Sequence, residues 1–294
     1  MLGIIDRNWQ IDKRNIVESD VVRTPNQIPE VDSHLTYFGL GKSILLTKNS
    51  RVFQVSSAGL VFGAYLVRDV EFPNVHGTFL DIGTGSGVHA ILARQLGITD
   101  VVAADISVNS VSLAAQNERL NFNDEQISFH VSNLFDSVPA RRFDIVAFNP
   151  PGWRSPSSGL LARLKELDEN ETIPPRAMFY GDDVVLRFLH DLPKFLSTNG
   201  RAIVGLNSLV GIQDVLTRYT KEYGKTPPLK YRLIERHTFP LLYYSEQWAS
   251  LGTALLDEFQ EWRRQGLAAF TNDRNGQIYW SYEIIEFSHS NQNA

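Results

Sequence analysis

The run Phe143-Asp144-Ile145-Val146-Ala147-Phe148-Asn149-Pro150-Pro151-Gly152 carries an apolar stretch directly into Asn-Pro-Pro. Two consecutive prolines have fixed φ and no N–H, so the chain leaves in a rigid, extended form. Asn149 and the carbonyls beside it are thereby held in place. The Asn149 carboxamide oxygen and the Pro150 carbonyl oxygen can each accept one N–H bond. Such a pair suits a planar amide or amino nitrogen, whose delocalised lone pair makes it a poor nucleophile. Two well-placed acceptors would favour a more tetrahedral nitrogen and aim its lone pair. Pro151 and Trp153 follow at once and are candidates to border the acceptor. Trp153 offers either an aromatic face for stacking or a packing group for a covering loop.

A second run, Phe79-Leu80-Asp81-Ile82-Gly83-Thr84-Gly85-Ser86-Gly87, ends an apolar strand in Asp81 and a glycine-rich turn. Glycines let a backbone turn tightly and approach a ligand closely, and the helix that follows presents unpaired N–H groups. Nicotinamide enzymes use a similar device with the spacing G-x-G-x-x-G. Here the spacing is G-x-G-x-G, with an acid two residues before the first glycine. Asp105 lies 18 residues after Gly87 (105 minus 87) at the end of Ala103-Ala104-Asp105. A carboxylate there can accept from both hydroxyls of a ribose, or simply cap the next helix. Asn133 occupies the matching place after Val131-Ser132.

The elements that position these residues alternate regularly. Residues 78–82, 101–105, 127–131, 143–148 and 202–206 are expected as strands. Residues 87–96, 108–120 with Ser107 as N-cap, 182–195 and 212–223 are expected as helices. This alternation implies right-handed βαβ units around a mostly parallel sheet. Upstream, residues 1–35 are polar and irregular. Residues 43–47 and 51–55 suggest a hairpin around Lys48-Asn49-Ser50, and a helix over 58–67 would be capped by Ser56 or Ser57. Residues 152–180 form a long insertion with no clear period, as functional lids do. A helix over 251–264 and an aromatic strand over 278–285 close the chain, the strand being of the kind that pairs antiparallel at a sheet edge.

Together the motifs resemble class I S-adenosylmethionine-dependent methyltransferases. The Asn-Pro-Pro is similar to the Asn-Pro-Pro-Tyr of the amino-methyltransferases, among them adenine and guanine N-methyltransferases and the glutamine methyltransferases of peptide release factors. Gly181-Asp182-Asp183 is similar to a Gly-Gly-x-Asp-Gly stretch of the release-factor enzymes. The resemblance covers about residues 55–210. It implies an α/β, doubly wound, seven-stranded Rossmann-like domain over 71–294, preceded by a small N-terminal segment over 1–70. S-adenosylmethionine is the implied cofactor, with Asp81, Gly83, Gly85, Gly87, Asp105, Asn133 and Asn149 around it. The loop would wrap its methionine part, Asp81 would lie near its amino group, Asp105 would meet the ribose and Asn133 the adenine. Asn149 and Pro150 would orient the nitrogen to be methylated. The family's stacking aromatic is replaced by Gly152, which leaves room for a bulkier or non-planar acceptor.

Composition narrows the field. The chain has 294 residues, 43% of them apolar and 21% charged, enough for one large domain or one with an appendage. It has no cysteine, which excludes disulfides, thiolate metal sites and cysteine nucleophiles. His76, His89, His130 and His237 show no metal-ligand spacing, and no metal is expected. The net charge of −5 speaks against a bulk nucleic-acid partner. The basic stretch from Arg218 to Arg236 reads as solvated surface. The N-terminus has no secretory signal, and no run reaches the ~18 apolar residues of a membrane span. A soluble, cytoplasmic protein is expected. The acceptor stays open between a protein glutamine, a nucleobase in RNA and a small-metabolite amine. A nicotinamide dehydrogenase and a non-enzymatic binding module that kept the fold are the competing classes.

Overall fold

The computed structural model describes residues 32–49, 51–69, 77–168, 175–243 and 246–290. Most of the irregular stretch read at 1–35, His76, and Glu169 to Pro174 of the insertion lie outside them.

The sheet is built from strands β3 (Thr78–Ile82), β4 (Asp100–Asp105), β5 (Ser128–Val131), β6 (Phe143–Phe148), β7 (Leu196–Asn207), β8 (Leu229–Pro240) and β10 (Ile278–His289). Their order is β5-β4-β3-β6-β7-β10-β8, with the short β9 (Phe270–Asn272) on β10. The first five are parallel, and β10 runs antiparallel to both β7 and β8. The sheet path is thus the expected seven-stranded, mostly parallel, doubly wound one. The last strand is not its edge, however. It lies between β7 and β8. Leu229-Lys230-Tyr231-Arg232-Leu233 of β8 alternates as a strand does, but residues 230–233, 236 and 238 are exposed, and Lys230, Arg232 and Arg236 make the stretch read as solvated basic surface. An outer strand tolerates such charge, which also discourages further strand pairing.

Both faces of the sheet are covered. One core combines Phe79, Val101, Ala103, Ile145 and Ile203 with helices α1 (Ser57–Asp69) and α2 (Val88–Gln95). The other packs Leu80, Val102, Val146 and Val204 under α5 (Gly181–Phe195) and α6 (Ile212–Tyr223). Strands covered on both faces read as continuous apolar runs, which is why β3 and β6 were easy to locate. Helix α3 (Val108–Phe122) starts where expected, with Ser107 Oγ accepting from Ser110 N–H at 3.3 Å.

Two local expectations are corrected. The hairpin is formed by β1 (Ser33–Gly39) and β2 (Lys42–Thr47), one strand earlier than predicted. Its turn is Gly39-Leu40-Gly41, with φ of 106°, 48° and 75°, a left-handed path that the two glycines allow. The insertion also has structure: α4 (Ser158–Asp168) and a short 3-10 turn, Pro175–Met178. They join α7 (Glu246–Ser250) and α8 (Gly252–Arg264) in a third apolar cluster around Trp153, Phe179, Trp248 and Phe259. The hairpin shares the first core through Phe38, Ile44 and Leu46. Among the described residues no helix is long and apolar enough to cross a membrane.

Candidate active site

Register brings the motifs together. Ile82 pairs with Ala104 on one side and with Phe148 on the other, and Phe148 pairs with Val204. The residues that follow these pairs, Gly83, Asp105, Asn149 and Gly205, therefore stand side by side at the carboxyl ends of β3, β4, β6 and β7. Open α/β sheets bind ligands at that edge, where the strand order reverses about the first strand.

At the β3 end, Gly83, Gly85 and Gly87 all have left-handed φ, of 67°, 56° and 82°. A side chain on Gly87 would meet Ala114 at 2.9 Å, so this glycine lets α2 pack on α3. Around Gly85 a side chain would meet nothing within 4 Å: the loop faces open space, as a cradle must. Asp81 is buried below it and accepts from Thr84 Oγ at 2.7 Å. Burial pushes its carboxyl up to about 7. Asp105 accepts from the Gly85 N–H at 2.9 Å and the Ser107 N–H at 2.8 Å, so it ties the glycine loop to the start of α3. Burial raises its carboxyl as well. With a third bond from the Ser110 hydroxyl, the carboxylate keeps one acceptor site for a ligand hydroxyl. Asn117, fully buried on α3, donates to Ser86 O and accepts from Thr47 N–H, which couples the loop to the hairpin. Asn133 is exposed, in the turn after β5. Ile106 and Val108, beside Asp105, are 70% and 63% exposed. These residues fit a cofactor with a cationic amine, a ribose and a flat apolar base: a buried carboxylate, a second at the next strand end, and bare apolar side chains beyond it.

At the β6 end, Asn149 Oδ1 accepts from the Tyr282 hydroxyl at 2.8 Å. The N-terminus of α1 lies alongside: a side chain built on Gly59 would come within 3.8 Å of Asn149 Nδ2. Ser56 caps this helix, accepting from the Gly59 N–H at 3.1 Å. His89 from α2 faces the Gly59 carbonyl at 3.2 Å, and burial lowers its imidazole to about 4. It is a neutral structural donor, in keeping with the sequence reading of the histidines.

The chain beyond Pro151 is clamped. Gly181 N–H donates to Trp153 O at 2.7 Å, and a side chain at 181 would come within 2.2 Å of the Pro151 carbonyl oxygen. This closeness is the physical reason for a glycine at the head of α5. Asp182 accepts from Ser155 N–H at 2.7 Å and from the Arg154 guanidinium at 3.3 Å. The same guanidinium meets Asp214 at 3.3 Å, and Arg218 adds Asp183 at 3.1 Å. Gly181-Asp182-Asp183 thus fastens the exit from Asn-Pro-Pro.

Trp153 does not stand out as a stacking face. It is 2% exposed and packs edge-on against Phe179, Trp248 and Phe259 at 5.1–5.2 Å. The room beside Gly152 is also taken: a side chain there would reach Asn207 Nδ2 at 3.0 Å. Of the aromatic C-terminal residues, Trp248, Trp262 and Tyr282 are core. Reading by motif missed Tyr282, Gly205, Asn207 and Arg154. A signal existed for Gly205, because an isolated glycine inside an apolar strand marks a close approach.

Residues 70–149 match the family described as ribosomal protein L11 methyltransferase (PrmA). A Methanocaldococcus jannaschii protein provisionally named a protein N5-glutamine methyltransferase is 31% identical over 145 residues, 47% of this chain and 66% of that one. The release factor glutamine methyltransferase of Rhodopirellula baltica is 32% identical over 161 residues, 52% of each chain. The chain thus spans less than two thirds of either relative's length. The T. thermophilus 16S rRNA N2 G1207 methyltransferase, in complex with AdoMet and guanosine, superimposes with a TM-score of 0.53 at 15% identity, covering 89% of this chain and 51% of that one. The domain has the Rossmann-like methyltransferase fold, and in sequence it is similar to the protein glutamine methyltransferases.

Proposed function

We propose that the chain is an S-adenosylmethionine-dependent methyltransferase acting on an amide or amino nitrogen, with a protein glutamine as the favoured acceptor. One observation carries this reading: Asn149-Pro150-Pro151 stands directly beside the glycine loop at the sheet edge, through the Ile82–Phe148 pairing. The cofactor, when bound, supplies an electrophilic methyl on a sulfonium. Gly83, Gly85 and Gly87 would give it room, Asp81 would lie under its amine, and Asp105 would accept from its ribose. Asn133 and the exposed Ile106 would border its base. Asn149 Oδ1 and the Pro150 carbonyl hold the acceptor N–H groups, and Pro151 borders them. Transfer would exchange the methyl's carbon–sulfur bond for a carbon–nitrogen bond, and the two carbonyls would hold the N–H whose proton is given up to solvent. Trp153 supports this site from the core.

The net charge of −5 favours a glutamine over a nucleobase in nucleic acid. The similarity to enzymes named for protein glutamine points the same way. An acceptor of the release-factor or ribosomal-protein class would also place the enzyme in the cytoplasm.

The test is calorimetry with S-adenosylmethionine and, separately, NADH, followed by transfer of labelled methyl. Acceptors to compare are a peptide with a single glutamine, a guanosine-bearing oligonucleotide and a small amine. Micromolar binding of S-adenosylmethionine alone, with label on the peptide, is expected. Binding of NADH alone would defeat the reading. Label on RNA that falls steeply with salt would move the acceptor to nucleic acid.

A further inference from the structure

The two prolines fix the backbone at Asn149 but not its carboxamide, which still turns about two side-chain bonds. Something else must set the direction of Oδ1. Tyr282 on β10 is placed to do so. Its ring is 2% exposed, and its hydroxyl donates to Asn149 Oδ1 at 2.8 Å across 133 residues of sequence.

Its seat is specific. In the β10–β7 pairing Tyr282 faces Asn207 and Ile284 faces Gly205, so the ring leans diagonally along β7. A side chain built on Gly205 would lie 1.8 Å from the tyrosine oxygen and 2.4 Å from the ring carbon that bears it. Gly205 is thus the gap through which the hydroxyl reaches β6. Its neighbour Val204 pairs with Phe148, which sets Asn149 immediately beyond.

We propose that Tyr282 is a positioning residue for methyl transfer: its buried hydroxyl, seated over Gly205, turns the Asn149 carboxamide so that the second lone pair of Oδ1 meets the acceptor N–H. This rests on the reading of Asn149 as the group that orients the acceptor. A carboxamide oxygen has two lone pairs, so one bond to Tyr282 leaves one for the acceptor. Buried hydroxyls need a partner, and a phenylalanine would fill the same core without one. Burial also raises the Tyr282 hydroxyl well above its ordinary value, so it remains a donor at working pH.

Tyr282→Phe tests this, because it keeps the ring and removes the bond. Two readouts are taken on the full chain. The first is the nitrogen-15 spectrum of the Asn149 side-chain amide, assigned by its loss in Asn149→Asp. The second is methyl transfer to the single-glutamine peptide. The expected result is a shifted Asn149 amide signal, S-adenosylmethionine affinity within twofold of wild type, and kcat lower by about 5- to 10-fold with little change in the peptide KM. Gly205→Ala, which displaces the hydroxyl without removing it, should reproduce the spectral shift. An unchanged Asn149 signal, or a shifted one with full kcat, overturns the proposal. If the wild-type protein binds the cofactor but labels no peptide, the glutamine reading is what fails. The spectra still decide for Tyr282, since an unmoved Asn149 amide refutes the positioning on its own.

Discussion

The two ends of the site are held in different ways. At the glycine loop the contacts are local. Thr84 donates to Asp81 three residues away, Ser107 to Asp105 two residues away, and Gly85 to Asp105 across 20. At Asn-Pro-Pro they are long-range. Asn149 is held by Tyr282 across 133 residues, and Arg154 by Asp182 across 28 and Asp214 across 60. The proposed cofactor end lies within β3 to the start of α3, with Asn117 as its longer tie, 31 residues from Ser86. The acceptor end is assembled by the whole domain, so damage to it should couple to global stability more than damage to the loop does.

The largest effect that would break this contrast lies in the clamp. Asp182→Ala leaves the nearly buried Arg154 to Asp214 and the Leu267 carbonyl alone and unpairs the Ser155 N–H, which should cost about 3 kcal/mol of unfolding free energy. Urea denaturation measures it. A loss under about 1 kcal/mol would mean that the clamp is not structural. Next is Asn149→Ala, which should leave S-adenosylmethionine affinity near wild type and lower kcat by roughly 10²–10³-fold, in the range seen for a lost transition-state hydrogen bond. A fully active variant would remove Asn149 from the chemistry. Asp105→Ala should weaken cofactor binding by about 1.5–3 kcal/mol, or roughly 10- to 150-fold in Kd, and cost about 1–2 kcal/mol in unfolding through the unpaired Gly85 and Ser107 N–H groups. Unchanged calorimetric affinity would deny Asp105 a ribose.

The smallest effect is in pH. Asp81, raised by burial to about 7, binds more protons folded than unfolded between pH 3.8 and 7, so its contribution falls as pH rises there. His89, lowered by burial to about 4, binds fewer protons folded between pH 4 and 6.5, so its contribution rises with pH. The two oppose each other over pH 4–6.5. Asp81→Asn removes the opposing Asp81 slope and keeps the histidine's, so the melting temperature should climb more steeply from about pH 4.5 to 6.5 than in wild type. Parallel curves for the two proteins would show that Asp81 is an ordinary carboxylate.

Legibility in sequence followed the same divide. β6 and α6 were readable to the residue, because both are bounded by clear changes of pattern. The hairpin was misplaced because Gly39-Leu40-Gly41 is a less familiar turn signal than Lys48-Asn49-Ser50. β8 was missed although Leu229-Lys230-Tyr231-Arg232-Leu233 alternates, because the charge on this edge strand also reads as solvated surface. Trp153 could be read as a stacking face or as core. Its partners, Trp248 and Phe259, are 95 and 106 residues away in sequence, so no local pattern could decide.

What the sequence determined by itself was the chemistry and its strands: apolar runs that end in Asp-Ile-Gly-Thr-Gly, in Asp105 and in Asn-Pro-Pro. These follow from φ restrictions and hydrophobic patterning, which act over a few residues. The tertiary structure alone decided which groups aim that chemistry. Tyr282 over Gly205, Asp182 on Arg154 and Gly181 under Pro151 come from strand order and helix packing, and contacts between distant segments leave no mark on either segment alone.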